Sequence, residues 1–193
     1  MANFAEKIFK YRSYTPLPFL LLMVIFQKAT LPSLLIGFGL ILFGEFFRLW
    51  GVSYAGSETR TTNSVGGTYL VVSGPYGYLR NPLYLGNMLI YFGVGIMSFA
   101  LFPFLQLIAL FFFYWQYIVI IREEETFLKS KFGESFEHYL RNVPKLIPAL
   151  PKYQNPGIEQ PALNRAAGLR SEKRTLQAIL IIVILILIRF ILS

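Results

Sequence analysis

Apolar and polar residues follow one another along this chain in long blocks, not with the two-residue alternation of a half-buried strand. Five apolar runs stand out, at about 15–29, 33–54, 84–101, 103–121 and 175–192. Roughly 20 apolar residues traverse the hydrocarbon core of a bilayer, so these runs predict membrane-crossing helices. The first run is short and flanked by prolines. Lys7, Lys10 and Arg12 precede it in the manner of a secretory signal, but no small-residue cleavage site follows, and it is read as a span. Thr30, Leu31 and Pro32 predict a tight turn into the second run. There Gly37, Gly44 and Gly51 recur every seven residues on one face, with Ser33 a turn earlier, a pattern suited to close helix packing in lipid. Glu45 sits inside this run with Arg48 at i+3, either a local ion pair near the interface or a polar pathway residue.

The polar blocks complete the expected architecture. Residues 55–83 form a loop in which 68–72 can be extended. Ser98 to Phe102 is too short for anything but a turn, so spans three and four make a hairpin. Residues 122–174 begin as an amphipathic helix with Phe127, Leu128, Phe132, Phe136, Tyr139 and Leu140 at helical spacing, broken at Gly133. Glu125–Lys129 and Glu137–Arg141 are i,i+4 pairs on its solvated face, and His138 is read as a surface partner four residues after Glu134. Residues 148–174 read as a linker, and Arg189 can snorkel from the last span. The fold class is therefore all-α: a single integral-membrane domain with about five transmembrane helices and a cytosolic amphipathic helix after the fourth.

Composition sharpens this. The 193 residues are 55% hydrophobic and 17% aromatic, with a mean hydropathy of +0.53, more apolar surface than a soluble domain of this size hides. There is no cysteine and no aspartate, and His138 is the single histidine. A disulfide, a cysteine nucleophile and a Ser-His-Asp triad are thereby excluded, and no metal site is expected. A net charge of +8 suggests nucleic acid at first sight. With five spans and a cytosolic N-terminus, however, every Lys and Arg except Lys28 and Arg189 falls on the cytosolic side, which is membrane topology and not nucleic-acid binding.

That topology puts two unusual stretches on one face. In Ser73–Asn87 (SGPYGYLRNPLYLGN), Pro75 and Pro82 cannot lie deep in a helix, and Asn81 is pushed out of the helical region by the proline after it. A helix then starts near Pro82 or Leu83, with the free amides of its first turn facing Arg80 and Asn81. An anion or a cofactor's polar end fits there; so does a proline turn with tyrosines as interfacial anchors. The second stretch is Glu123, Glu124 and Glu125, where the fourth span meets water. Glu124 has only Ile120, Ile121, Phe127 and Leu128 at helical neighbour positions, so no local cation offsets it. Facing the Arg80 helix start, it suits a small zwitterion: the carboxylate takes an ammonium, Arg80 and the free amides take a carboxylate. Three glutamates marking a solvated helix are the alternative.

GPYGYLRNPLYLGN, then EE-x-x-L-x-x-x-FG-x-x-x-x-x-Y, then VP, resembles the isoprenylcysteine carboxyl methyltransferase and phospholipid methyltransferase superfamily over about 61–148. The resemblance implies a small membrane enzyme that uses S-adenosyl-L-methionine without a Rossmann domain; Gly93 and Gly95 belong to no dinucleotide fingerprint. The family pattern R-H-P-x-Y-x-G stands here as Arg80, Asn81, Pro82, Leu83, Tyr84, Leu85 and Gly86, with asparagine in place of histidine as in the phospholipid branch. By position, cofactor contacts fall on Thr68, Tyr69, Leu70, Val71, Tyr76, Asn81, Pro82, Leu83, Tyr84 and Glu124, and the catalytic set on Arg80, Asn81 and Glu124. The isoprenylcysteine branch has an arginine where this chain has Ile120. The implied function is methyl transfer to the polar end of a lipophilic small molecule or lipidated substrate at the cytosolic membrane face, among membrane lipids. Two other readings stay open: an NADPH-dependent membrane reductase of the sterol reductase type, and a non-catalytic membrane scaffold.

Overall fold

A computed structural model describes residues 2–56 and 68–192, so most of the loop expected at 55–83 up to residue 67 lies outside the described residues. Among the described residues there is no strand. The helices are α1 (Ala2–Tyr11), α2 (Pro16–Ile25), α3 (Leu31–Ala55), α4 (Pro82–Ser98), α5 (Phe104–Asn142) and α6 (Arg165–Leu192), with a 3-10 turn at Gly74–Gly77 between α3 and α4.

The all-α expectation holds, and the count of crossing helices is narrower than expected. α3, α5 and α6 are long and apolar enough to cross a membrane, while α2 and α4 are apolar but shorter. At 1.5 Å per residue, the 10 residues of α2 extend only about 15 Å and the 17 of α4 about 25 Å, against a core of about 30 Å. Pro16 and Pro18 set the start of α2, and its end comes at Phe26, whose backbone leaves helical geometry. The basic segment before it is itself a helix: Phe9 of α1 is buried in the main core, and Phe4 packs on Trp115 of α5.

α3 and α4 form the principal helix pair. Thr30 caps α3 reciprocally with Ser33. A Cβ on Gly37 would meet the Gly93 carbonyl and the Met97 Cβ at 2.5 Å, and one on Gly44 would meet the Gly86 carbonyl at 2.6 Å. The seven-residue glycine repeat therefore does bring two backbones together, α3 against α4. Gly51, the third of the repeat, faces Pro82 and Leu83, so the same stripe seats the start of α4.

α5 runs for 39 residues, and its apolar half (104–121) is followed by the polar half expected from sequence. At Gly133 the backbone leaves the helix with φ 51°, a left-handed value that glycine tolerates. Beyond the break, Phe136, Tyr139 and Val143 gather with Leu70, Val72 and Tyr153 into a small second core. The segment expected as a free linker, 148–174, is partly structure. Residues up to Gln160 lie along the loop before α4, and α6 begins at Arg165, ten residues before the apolar run.

Two local pairings differ from expectation. Lys129 bonds Glu137 at 2.8 Å, leaving Glu125 to partners distant in sequence, while Glu137 also keeps Arg141 at 3.6 Å. His138 meets the Tyr153 hydroxyl at 2.9 Å instead of Glu134. Glu137 comes to Lys129 across the break at Gly133, where the helix changes direction, and His138 finds its partner in the segment after α5. Arg48 lies 3.8 Å from Glu45, but its nearer carboxylate is Glu172 of α6 at 2.6 Å, so the pair is part of a buried cluster between helices.

Candidate functional site

The start of α4 is organised as the sequence suggests. Asn81 sits at φ −128°, ψ 61°, outside the helical region that Pro82 denies it, and its side chain does not cap the helix. Instead Asn81 Nδ2 donates to the Lys145 carbonyl at 3.0 Å. Leu85 N–H reaches the Asn81 carbonyl, which leaves the Leu83 and Tyr84 amides as the unpaired donors of the first turn.

Tyr84 brings the second stretch to the first. Its hydroxyl donates to Glu124 Oε1 at 2.7 Å, joining α4 to α5. Glu124 Oε2 has no hydrogen-bond partner among the described residues. Burial pushes the Glu124 carboxyl up to about 7, against the lowering pull of the Tyr84 hydrogen bond and the Arg12 guanidinium, while Glu125 adds to the rise. Arg12, by its place in the sequence a topology charge, is a cation in the field of Glu124. No helical-neighbour rule relates residues 12 and 124. Arg12 is held over the Phe9 ring at 3.8 Å, and its Nη1 donates to the Phe9 carbonyl at 2.7 Å.

Arg80 is placed differently from the sequence-based picture. Its Nη2 and Nε donate to Glu125 Oε1 at 2.9 and 3.1 Å, and its Nη1 donates to the Leu140 carbonyl at 3.0 Å and to the Val143 carbonyl. Lys145 also reaches Glu125, at 3.4 Å. The guanidinium thus clamps the loop to α5 on both sides of the Gly133 break, with four of its five N–H donors engaged within the protein. The two neighbouring glutamates have separate tasks: Glu125 holds Arg80, Glu124 meets Tyr84.

The remaining candidates divide by depth. Leu70 is buried in the second core, Val71 and Tyr69 are half-buried, and Thr68 is exposed. Pro82 is buried against α3, and Leu83 is half-buried beside it. Tyr76 is buried in the 3-10 turn. Its phenol is pushed up by burial first, then by Glu124, with Arg48 opposing, and its carbonyl accepts from the Tyr139 hydroxyl at 2.7 Å. Gly74, at φ +61°, allows that turn, because a Cβ there would strike the Tyr54 ring.

The segment after α5 is the part sequence reasoning missed. Arg80 N–H donates to the Pro144 carbonyl at 2.9 Å, Ala149 N–H to Tyr78 at 3.0 Å, and Tyr153 N–H to Gly77 at 2.8 Å. Gln160 closes the series: its Oε1 accepts from Val72 and Ser73 N–H, and its Nε2 donates to the Leu70 carbonyl. Leu70 to Arg80 is therefore braced along its length by residues 144–160.

A family model for phospholipid methyltransferase matches residues 32–135, from the head of α3 to just past the Gly133 break. The chain belongs to the phospholipid methyltransferase family. With three helices long and apolar enough to cross a bilayer, this family member is an integral membrane protein. Similar proteins include the cobalt-zinc-cadmium resistance protein CzcN of Cupriavidus metallidurans, 37% identical over 55% of this chain and 45% of the relative. The nickel-cobalt-cadmium resistance protein NccN of Alcaligenes xylosoxydans xylosoxydans is 32% identical over 56% of this chain and 46% of the relative. Methanethiol S-methyltransferase of Crocosphaera subtropica is 36% identical over 40% of this chain and 28% of the relative. The chain thus spans less than half the length of the curated relatives it matches. No solved structure matches. Among the described residues of this family member, no three His, Cys, Asp or Glu side chains gather as a metal donor set.

Proposed function

We propose that this protein transfers a methyl group from S-adenosyl-L-methionine to the polar end of a lipophilic acceptor, an isoprenylcysteine-type carboxylate or a lipid head group, at the cytosolic membrane face. The observation that carries the reading is the Tyr84–Glu124 contact, which ties a carboxylate of α5 to the first turn of α4 and its free amides. That donor set fits an amino acid end: Glu124 Oε2 accepts from an ammonium, and the Leu83 and Tyr84 amides donate to a carboxylate at the positive end of the helix. Thr68 to Val71, Tyr76 and Asn81 are the further cofactor contacts of this reading.

The cofactor supplies a sulfonium methyl that is already electrophilic, so the protein's part is alignment and exclusion of water. Tyr84 and Glu124 orient the polar end, and Arg80 acts by holding the loop against α5 instead of meeting the ligand. A carboxylate acceptor needs no base. An amine acceptor must first lose a proton, to Glu124, a tyrosine or water. The soluble cofactor enters from the cytosol and the acceptor laterally between helices. The methanethiol S-methyltransferase relative supports methyl transfer; two other relatives are named for metal resistance, and the described residues of this chain hold no group of three metal-donor side chains.

A thermal-shift and titration panel on the detergent-purified protein tests this. S-adenosylhomocysteine is expected to stabilise it and to bind with about −5 to −8 kcal/mol, low-micromolar to sub-millimolar. Stabilisation by NADPH alone would favour the reductase reading, and response to neither would leave a scaffold.

A further inference from the structure

α6 lies beyond the family-matched segment, yet it carries a fully buried carboxylate, Glu172. Arg48 of α3 reaches Glu172 Oε2 with Nη2 at 2.6 Å and Nε at 3.2 Å, and Nη2 also donates to Thr175 Oγ1 at 3.2 Å. On its other side, Arg48 Nη1 donates to Asn87 Oδ1 of α4. Asn87 stands three residues, about one turn, after Tyr84 on α4. The Tyr117 ring stacks on Tyr84, centroids 4.7 Å apart and planes at 28°. Tyr84 is the donor to Glu124.

The contacts run from α6 through Arg48 of α3 to Asn87 of α4, one turn from Tyr84 at the α4–α5 junction. Each contact is directional: an arginine fork fixes its carboxylate, an asparagine held at its oxygen cannot turn freely, and a stacked ring has little freedom to tilt. In a low-dielectric interior such a chain holds its members more tightly than isolated pairs do. A helix that served only as an extra anchor would need none of it, since the apolar flank of α6 and the bond from Gln27 Nε2 to the Ile186 carbonyl at 3.0 Å already attach it to the bundle.

We propose that Glu172 is a positioning residue for the site: by holding Arg48 it fixes Asn87, and with it the turn of α4 from which Tyr84 stacks on Tyr117 and donates to Glu124. The inference rests on Tyr84 and Glu124 being the polar contacts of the cofactor. α6 is then a working part of the site.

The test places 3-fluorotyrosine at position 84 in the full-length protein in nanodiscs and follows its ¹⁹F resonance, with S-adenosylhomocysteine titrations in parallel. Glu172→Gln and Arg48→Lys are expected to move the resonance in the same direction as Asn87→Ala. Gln27→Ala, which loosens α6 elsewhere, leaves it in place. A resonance unmoved in Glu172→Gln, or moved equally by Gln27→Ala, overturns the proposal. Glu172→Gln is also expected to weaken S-adenosylhomocysteine about tenfold, the scale of coupling between contacting side chains. An unchanged affinity beside a binding wild type would likewise overturn it. A wild type that binds no S-adenosylhomocysteine refutes the methyltransferase reading instead, and the ¹⁹F pattern then decides this inference alone.

Discussion

Removing the Arg80 guanidinium separates a structural clamp from a ligand contact. In Arg80→Ala the bonds to Glu125, Leu140 and Val143 are lost together from side chains that are only 10% and 18% exposed. Breaking a buried ion pair costs about 3–5 kcal/mol when the abandoned charge has no other partner. Here Glu125 keeps Lys145 at 3.4 Å, and water can reach the exposed Leu140, so about 2–3 kcal/mol is the better figure. For a chain of this size that corresponds to a fall in Tm of about 5–10 °C. The assay is thermal denaturation in detergent of Arg80→Ala, Glu125→Gln and the double variant. A coupling energy of about 1.5–2 kcal/mol is expected, with Glu125→Gln alone costing well above the few tenths of a surface pair. An Arg80→Ala variant with wild-type Tm and no S-adenosylhomocysteine binding would refute the clamp and return Arg80 to the ligand.

Other outcomes follow from the same geometry. An ammonium needs Glu124 ionised, so S-adenosylhomocysteine affinity should fall as pH drops through about 7, and Glu124→Gln should remove that dependence in titrations at pH 6 and 8. Without ligand the sign reverses: a carboxyl raised from 4.5 to about 7 in the fold contributes stability at low pH that is lost as pH rises through that window, measurable as Tm against pH. Gly37→Ala should cost about 1–3 kcal/mol in denaturation, because its Cβ meets backbone, whereas Gly39→Ala, with open space around it, should be neutral or gain up to about 1 kcal/mol. Gln160→Ala frees the Val72 and Ser73 amides and should speed limited proteolysis between 68 and 80 before the helices are cut.

What could be read in advance was what depends on neighbours in sequence. Pro82 with Asn81 before it dictates where α4 begins, Gly133 dictates where α5 breaks, and a glycine every seventh residue marks the face of α3 that a backbone can approach. The apolar runs announce helices, but their length in the bilayer was legible only roughly, since Pro16 and the turn after Ile25 leave α2 too short to cross alone. Long-range pairing was not legible. Glu125 had a plausible cation at i+4 and took Arg80 instead, Arg48 had Glu45 at i−3 and took Glu172, and nothing local links Arg12 to Glu124. Residues 148–160 looked like a linker because their order comes from backbone bonds to another segment, which leave no periodicity of their own.

That bracing has a consequence for how the protein is made. Gly77 and Tyr78 carbonyls and the Val72 and Ser73 amides find their partners in residues 149–160, which leave the ribosome some 75 residues after the loop itself. While α3 and α4 are already side by side in the membrane, the polar rim beside them waits, hydrated and unshaped, for a segment not yet synthesised. Assembly of the rim is therefore a late event in biogenesis, completed only once residues 149–160 have emerged.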